Sequence, residues 1–314
     1  MPTQFLPYLT SLVIGINVTA TGIARQSSVT HDQIARFLVK RRVWQRWMLW
    51  MVQKLFGVLL EGYLIIDDTV IAKRHARNME GASFVHSSAL DRVVYGYNIV
   101  FLCWSNGTIT IPISWRWYKK NGKSKIDLAM ELLAEAKKRW HVSPRHVFFD
   151  TYYSAHQLLN QLHTYGWKFV GQLKSNRIIN AAPIKEDLVE EGGTERGWIT
   201  DTVKVTIIKH DGNWFFTNDL GITPKDIPSL YKNRWPIEEV FRFLKSALSL
   251  EKCQARISQA QKTHLASCVL LYLIFQKQQM VEATETLYSL LEKWRIDRRL
   301  GRNQIRHYVK VLSA

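Results

Sequence analysis

The chain has 314 residues, of which 46% are apolar, and it shows no internal repeat and no low-complexity tract. This composition excludes a disordered chain, because it can supply a full core for one large domain with appendages or for two smaller domains. The formal net charge of +17 favours a polyanionic partner, most often nucleic acid, with an anionic membrane surface as the alternative.

The pattern of cysteines and the longest apolar stretches indicate the cellular compartment of the protein. The three cysteines form no C-x-x-C pair, which argues for a reducing compartment and against a thiolate zinc site. Residues 5–24 have no basic residue before Arg25, unlike the start of a signal peptide. The apolar run at 265–275 is about half the length that a membrane span needs. We therefore expect a cytoplasmic protein without a membrane partner.

The first predicted elements are a helical region and a buried strand. Basic residues and tryptophans recur over 31–47, a helical stretch within an N-terminal region, 1–60, that is a candidate for DNA binding. The apolar run at 63–66 stops at Asp67 and Asp68, as in a buried strand whose carboxyl end presents acids. Open α/β sheets place their chemistry at that end.

A hairpin and two strand-and-helix repeats follow. Residues 95–104 and 108–118 are rich in β-branched and aromatic residues and flank a Ser-Asn-Gly turn, which predicts two antiparallel strands. Apolar spacing then predicts a helix over 126–140, a strand over 147–149 ending at Asp150, a helix over 154–165 and a strand over 167–173. This order predicts an α/β fold of the ribonuclease-H-like type, a mixed sheet flanked by helices.

The rest of the chain is predicted to form a β-rich insertion and a helical end. The insertion covers about residues 177–225, with strands around the turn His210-Asp211-Gly212-Asn213. From Pro236 the pattern is helical almost to the end, with a break at Gly301. We thus expect three parts: the N-terminal helical region, a catalytic domain over 61–250 that contains the insertion, and a basic helical region over 251–314.

The acids at the two strand ends suggest a metal-dependent reaction at phosphate. In the ribonuclease-H-like order the first and fourth strands are neighbours, which would bring Asp67 and Asp150 together. Two-metal phosphoryl transfer needs carboxylates that converge on two cations about 4 Å apart, one activating the attacking oxygen and the other stabilising the leaving oxygen. A third acid must then come from a later helix.

Helix geometry selects that third acid. Pro236 suits the first turn of a helix, and the apolar residues between Ile237 and Leu248 fall on one stripe. At about 100° per residue, Glu238 and Lys245 lie on the margin of this stripe, whereas Glu239 points away from it. Because an acid on the margin can reach a site formed by the sheet, the pattern favours Glu238.

A signature of four residues lies in the same segment. The residues that match Y-x2-R-x3-E-x6-K are Tyr231, Arg234, Glu238 and Lys245. By this signature the chain resembles the bacterial insertion-sequence transposases of the DDE type, which cut and paste DNA through hairpin intermediates. The resemblance extends to Asp67-Asp68-Thr69 and to the strand end at Asp150, and it covers roughly residues 30–250.

The resemblance implies a transposase that cleaves and joins DNA strands and binds two Mg²⁺ ions, with Mn²⁺ as a substitute, through Asp67, Asp150 and Glu238. Its partners would be double-stranded DNA, both transposon terminal inverted repeats and target DNA. It would act as a dimer or a larger assembly, associated with the bacterial nucleoid. The residues that inherit DNA contacts are Tyr231, Arg234 and Lys245, and the candidates for stacking on a flipped base are Trp198 and Trp214.

Two points stay open at this stage. The D-x-T pattern of the family favours Asp67 over Asp68 as a metal ligand, and neighbouring side chains of a strand face opposite sides, so we expect only one of the two to bind metal. The fold could also belong to a structure-specific nuclease without strand transfer, or to a non-catalytic DNA-binding protein derived from a transposase. Strand-transfer products would exclude the nuclease, and metal-dependent cleavage would exclude the non-catalytic protein.

Overall fold

A computed structural model of the chain describes residues 4–15, 19–59, 61–73, 76, 78–180, 182–184 and 190–313. Its strands are β1 (Glu61–Ala72), β2 (Ser83–Ser87), β3 (Arg92–Ser105), β4 (Thr110–Trp117), β5 (Ser143–Phe149), β6 (Phe169–Leu173), β7 (Ile178–Ile179), β8 (Ala182–Pro183), β9 (Thr194–Trp198), β10 (Lys204–His210) and β11 (Asn213–Thr217). Its helices are α1 (Phe5–Ile14), α2 (Ala20–Ala24), α3 (His31–Val39), α4 (Trp44–Phe56), α5 (Lys125–Glu135), α6 (His156–Thr164), α7 (Ile227–Tyr231), α8 (Pro236–Arg242), α9 (Ser258–Val281), α10 (Leu287–Ile296) and α11 (Arg298–Val311).

The chain separates into two compact units. The terminal unit comprises Met1–Val58, Thr69–Asn98 and Glu238–Ala314, and the central unit comprises Leu59–Asp68 and Ile99–Ile237. Strands β1 and β3 and helix α8 contribute residues to both units. None of the described helices has the length and apolar character that crossing a membrane requires.

Among the described residues, nine strands form one mixed sheet in the order β2-β3-β1-β5-β6-β11-β10-β9, with β4 paired to β3. In the central unit β1 and β5 are parallel, with Ile65 opposite Phe148, and β5 and β6 are parallel. Helix α6 supplies the crossover that a parallel pair requires between β5 and β6. The hairpin of β3 and β4 and the strands β9 to β11 are antiparallel.

The core of the central unit lies around the parallel strands. The segments Leu64–Ile66 of β1 and Val147–Phe149 of β5 are fully buried. Strands covered on both faces carry continuous apolar runs of this kind, and each fully buried side chain stabilises the fold by roughly 1.5–3 kcal/mol. The same two runs hold in place the acids that follow them.

The core of the terminal unit is built around helix α9, whose apolar segment Leu265–Phe275 is buried. Helices α1, α3, α4 and α10 pack against it. The Arg295 guanidinium donates hydrogen bonds to the carbonyl oxygens of Val13 and Ala247, both at 2.9 Å. The apolar segment 265–275 is thus part of a core helix, as its length predicts. The three cysteines of the chain, which lie in both units, are buried free thiols.

Three features differ from the sequence prediction. Strand β1 does not stop at Asp68 but continues to Ala72, and the next backbone N–H, that of Lys73, donates to the Tyr95 carbonyl of β3 at 2.8 Å. The short strand β2, which the sequence pattern missed, pairs with β3. Helix α11 runs through Gly301, where an added Cβ would lie 2.9 Å from the Cβ and carbonyl oxygen of Trp294. That glycine permits close packing with α10 and does not break a helix.

The predicted insertion is rich in strands, as expected. Strands β10 and β11 pair around Asp211 and Gly212, whose φ angles of 48° and 70° suit a two-residue hairpin turn. Strand β11 also pairs with β6, so these strands extend the main sheet. Residues 181 and 185–189 of the predicted insertion lie outside the described residues.

Candidate active site

Three aspartates meet where the paired part of β1 and β5 ends. The last paired residues are Ile65 and Phe148; Asp67 lies two residues further along β1, and Asp150 follows the last residue of β5. Parallel strands bring such residues to the same edge of the sheet. Burial is the largest cause that raises the pKa of Asp67 and of Asp150, and their close approach adds to it: the charge of Asp150 is the next cause for Asp67, and the charge of Asp68 is the next for Asp150.

Asp67 is the most strongly perturbed of the three. Burial, followed by the negative charge of Asp150, raises its pKa to about 7, although Arg234 opposes the shift. The Arg234 Nη1 lies 2.8 Å from Asp67 Oδ2, and the backbone N–H of Asp68 donates to Asp67 Oδ1 at 2.7 Å. Near neutral pH the protonated and the ionised form of this carboxyl are therefore both populated.

Asp68 has a different set of partners. Its Oδ1 accepts a hydrogen bond from Lys125 Nζ at 2.8 Å and another from the Tyr153 hydroxyl at 2.9 Å. Lys125 begins α5 directly after the N-cap Ser124, whose side chain and that of Asp127 form a capping box. Asp67 and Asp68 thus pair with different basic side chains, those of Arg234 and Lys125. This is expected for adjacent residues of a strand, which face opposite sides.

Asp150 is fixed by the turn that follows β5. Its Oδ1 accepts the backbone N–H of Tyr152 at 2.9 Å, so it caps the short helix Thr151–Tyr153. The Ser154 hydroxyl donates to the Gln172 carbonyl of β6 at 2.6 Å, which ties the turn to the sheet. Burial and the charge of Asp68 raise the pKa of Asp150. A rigid backbone therefore holds this carboxylate in place.

Two residues of the sequence signature lie in the central unit beside the aspartates. The Tyr231 ring is buried, lies 5.2 Å from the Phe215 ring, and its hydroxyl donates to Gln172 Oε1 at 3.4 Å. The Arg234 guanidinium lies 5.7 Å from the Tyr231 ring centroid and bonds to Asp67. The ordered turn from α7 to α8 therefore places a cation against the first acid.

The other two signature residues belong to the terminal unit. Glu238 lies in the first turn of α8 and is half-buried, whereas Glu239 is exposed. Lys245 lies in the π-helical turn Phe243–Ala247 and is half-buried. The assignment of Glu238 as a third ligand and of Lys245 as a DNA contact stays a prediction.

The two tryptophans predicted to stack on a base have different surroundings. Trp198 ends β9 and is 51% exposed. Trp214 on β11 is half-buried, with Lys209 Nζ at 5.5 Å from its ring. Their proposed role in base stacking also stays a prediction.

Sequence reasoning did not assign Lys125 and Tyr153 to the site. Lys125 belongs to a basic run whose pattern fits a solvated loop as well as a phosphate contact, and no local signal shows that it reaches an acid 57 residues away. Tyr153 reaches the same acid across 85 residues, and burial raises its pKa well above the usual value. Both contacts depend on the tertiary fold.

A second group of side chains in the central unit could hold a metal ion. Glu191, His210 and Asp211 each place one ligand atom within 4.8 Å of the others, and all three are exposed. The group lies at the hairpin turn between β10 and β11, where the Glu191 carboxylate accepts the backbone N–H groups of Asp211 and Gly212. The sequence pattern predicted the turn but not this group.

Comparison with known proteins extends these observations. A family model described as a transposase DDE domain matches residues 61–274, whereas no curated protein matches the sequence. Among solved structures, the piggyBac transposase synaptic complex with hairpin DNA is similar over 99% of this chain and 70% of that chain, with a TM-score of 0.57 and 15% identity. The Mos1 strand transfer complex covers 48% of this chain and 52% of that chain, with a TM-score of 0.21 and 15% identity.

The likeness to the piggyBac structure extends over nearly the whole chain and confirms the predicted ribonuclease-H-like fold. The family match includes β1, β5 and α8, and so covers the elements that carry Asp67, Asp150 and Glu238. The chain therefore belongs to the transposase DDE domain family, and it is a DNA transposase, an enzyme that cleaves DNA and transfers its strands.

Proposed function

We propose that the chain carries out cut-and-paste transposition on DNA ended by terminal inverted repeats, with Asp67, Asp150 and Glu238 as its catalytic carboxylates. The observation that carries this proposal is the pair of half-buried aspartates at the edge of the sheet, one of which has its pKa raised to about 7 by burial and by the other. Carboxyls with strongly perturbed pKa values cluster at functional sites.

The donor set fits a divalent metal ion, and enzymes of this family use such ions. Two carboxylates forced together repel each other, and a bound cation removes that repulsion. Hard cations such as Mg²⁺ prefer oxygen ligands, so we assign Asp67, Asp150 and Glu238 to two Mg²⁺ ions, with Mn²⁺ as a substitute and Asp68 as the alternative to Asp67. When bound, the ions activate the attacking oxygen and stabilise the leaving oxygen.

The remaining residues of the signature are assigned to DNA. An arginine fork can bind a phosphate through two hydrogen bonds, so Arg234, held beside Asp67, is placed to orient the phosphate that is cut. Tyr231 and Lys245 would contact neighbouring phosphates, and Trp198 or Trp214 would stack on a base. Lys125 acts as a positioning residue, because its ion pair fixes Asp68.

The synaptic complex with hairpin DNA that the similar piggyBac structure contains supports duplex DNA as the partner, a hairpin intermediate and an assembly of at least two chains. From the insertion-sequence signature we further propose a cytoplasmic protein associated with the bacterial nucleoid. We retain the predicted functional division into an N-terminal region over 1–60, a catalytic domain over 61–250 and a basic region over 251–314.

The test is cleavage and joining of DNA that carries the terminal repeats flanking the protein's own coding sequence. With Mg²⁺ or Mn²⁺ we expect nicked, hairpin and strand-transfer products, and we expect Asp150→Asn and Glu238→Gln to abolish them. Glu239→Gln is the matched control for Glu238→Gln, because the two acids are adjacent and Glu239 is exposed. Full activity of Asp150→Asn would refute the assignment, and cleavage without joined products would indicate a nuclease.

A further inference from the structure

Helix α11 concentrates positive charge on its exposed side. The helix spans 14 residues and contains no acidic side chain. At about 100° per residue, the exposed polar and charged residues occupy one half of its surface. They are Arg298, Arg299, Arg302, Asn303, Arg306, His307 and Lys310. Val311, at the last position of the helix, is also exposed.

The opposite half of the helix is used inside the terminal unit. Gly301, Ile305 and Tyr308 are buried where the helix packs against α1 and α10. The Tyr308 hydroxyl donates to Gln278 Oε1 at 2.9 Å. The helix is therefore anchored by its apolar half and presents its cations outward.

None of these cations has an acidic partner among the described residues, in contrast to several other cations of the molecule. On the preceding helix, Lys293 Nζ pairs with Glu282 at 2.6 Å, and in the central unit Arg116 pairs with Glu131 and Glu135. The five arginine and lysine side chains of α11 form no ion pair with any described residue. Their charge is uncompensated within the terminal unit.

The placement of the charges is also unfavourable for an isolated helix. Arg298 and Arg299 lie in the first turn, where the helix dipole disfavours cations. Arg302, Arg306 and Lys310 follow at intervals of four, and like charges at that spacing repel. Local rules are broken in this way mainly at functional sites, and a bound polyanion would remove both penalties.

We propose that the exposed face of α11 binds the phosphate backbone of duplex DNA. The helix is about 21 Å long, and a major groove about 12 Å wide admits an α-helix. An anionic membrane fits less well, because amphipathic helices enter the interface with a free apolar face and that of α11 is buried. The proposal rests on the proposed action on DNA and goes beyond it, since the helix lies outside the family match at residues 61–274.

The experiment measures binding of a fluorescein-labelled duplex of arbitrary sequence by anisotropy, between about 50 and 200 mM salt. The helix variant combines Arg302→Gln, Arg306→Gln and Lys310→Gln, since glutamine keeps helix propensity. Each phosphate contact contributes about 0.9 to the slope of log affinity against log salt. We expect the variant to bind at least about tenfold more weakly and its slope to fall by roughly 2.7.

A matched variant controls for net charge. Arg92→Gln, Lys252→Gln and Arg256→Gln also remove two arginines and one lysine from exposed positions of the terminal unit that have no described ion pair. We expect this variant to retain the wild-type slope and affinity within about twofold. Thermal unfolding of both variants establishes that they are folded.

The outcomes separate this inference from the proposed function. If the helix and control variants bind alike while the wild type cleaves its terminal repeats, α11 is not a DNA-binding face and the proposed function stands. If the wild type binds no duplex at all, both fail. The proposal would also be overturned if the helix variant lost binding to phosphatidylserine vesicles but bound the duplex as the wild type does. Asp150→Asn should bind the duplex with the wild-type slope while losing cleavage, which shows that binding is measured apart from chemistry.

Discussion

The central unit contains two groups of potential metal ligands that differ mainly in burial. Asp67 and Asp68 have side chains 16% and 15% exposed, in a regular strand and against cations. Glu191, His210 and Asp211 have side chains 54%, 51% and 86% exposed, at a hairpin turn. The exposed group meets a simple distance criterion for metal binding, whereas the buried one lies where two parallel strands end. The family match at residues 61–274 covers both groups.

The difference shows why convergence of ligands alone does not identify a catalytic site. In water, like charges are screened and surface acids can cluster at little cost. In the half-buried site, burial and, after it, the proximity of Asp150 raise the pKa of Asp67 to about 7, so the fold maintains an arrangement that is unfavourable without a cation. We infer that the burial of the carboxylates, together with their mutual repulsion, distinguishes the two groups, and not the number of ligands.

The most severe test of this comparison removes one acid from each group: Asp150 from the buried group and Asp211 from the exposed group. We expect Asp150→Asn to lower the rate of DNA cleavage by about a thousandfold or more, which corresponds to about 4 kcal/mol of transition-state stabilisation. The asparagine preserves shape but not charge. Asp211→Asn, the matched change in the exposed group, should leave the rate within about twofold of wild type. Equal losses in the two variants would contradict the assignment.

Metal binding should stabilise the protein through the buried group. A ligand present at about 100 times its dissociation constant stabilises the native state by about 2.7 kcal/mol. We expect saturating Mg²⁺ to raise the thermal midpoint of the wild type and of Glu191→Gln by the same amount. The increase should be lost in Asp67→Asn. An increase lost only in Glu191→Gln would move the metal site to the hairpin turn.

The pH dependence of stability should report the raised pKa of Asp67. Its folded pKa of about 7 lies above the ordinary value of 3.8 for an aspartate, so the native state binds more protons between these values and its free energy of unfolding falls as pH rises. The raised pKa of Asp150 acts in the same direction. Allowing for the partial exposure of the site, we expect a loss of about 2 kcal/mol between pH 4 and 8 without metal.

Denaturant unfolding at a series of pH values measures this loss. Asp67→Asn should flatten the curve, because the titrating group is absent. Asp211→Asn should keep the wild-type slope. A metal-free protein that is more stable at pH 8 than at pH 5 would show that the carboxyl is not destabilised by its surroundings.

The sequence predicted the acids of the buried group more completely than their partners. The buried run Val147–Phe149 identifies the strand end at Asp150. In the terminal unit, helical periodicity distinguishes the half-buried Glu238 from the exposed Glu239, and the assignment of Glu238 as a ligand stays a prediction. The apolar run and the periodicity are both local patterns. The extension of β1 past Asp68 could not be predicted in this way, because it depends on pairing with β3.

The contacts of the aspartates could not be predicted for the same reason. Lys125 and Tyr153 reach Asp68 across 57 and 85 residues, and Arg234 reaches Asp67 across 167. A signature can assign Arg234 to phosphate, but only the fold shows which acid it pairs with. The order of β1 and of β3 to β6 along the chain was predictable because each of these strands carries its own apolar run, whereas the short β2 was missed.

The smallest expected effect is that of the exposed group on the free energy of unfolding. Ion pairs between exposed side chains contribute about 0–1 kcal/mol, so His210→Gln should change the free energy of unfolding by less than about 0.5 kcal/mol. Lys125→Met is the comparison in the buried group: it leaves the Asp68 carboxylate without its cation and should cost about 1–3 kcal/mol. Urea unfolding of both variants measures the two costs. If His210→Gln were the more destabilising change, the hairpin turn would be structurally more important than its exposure indicates, and burial would no longer separate the two groups.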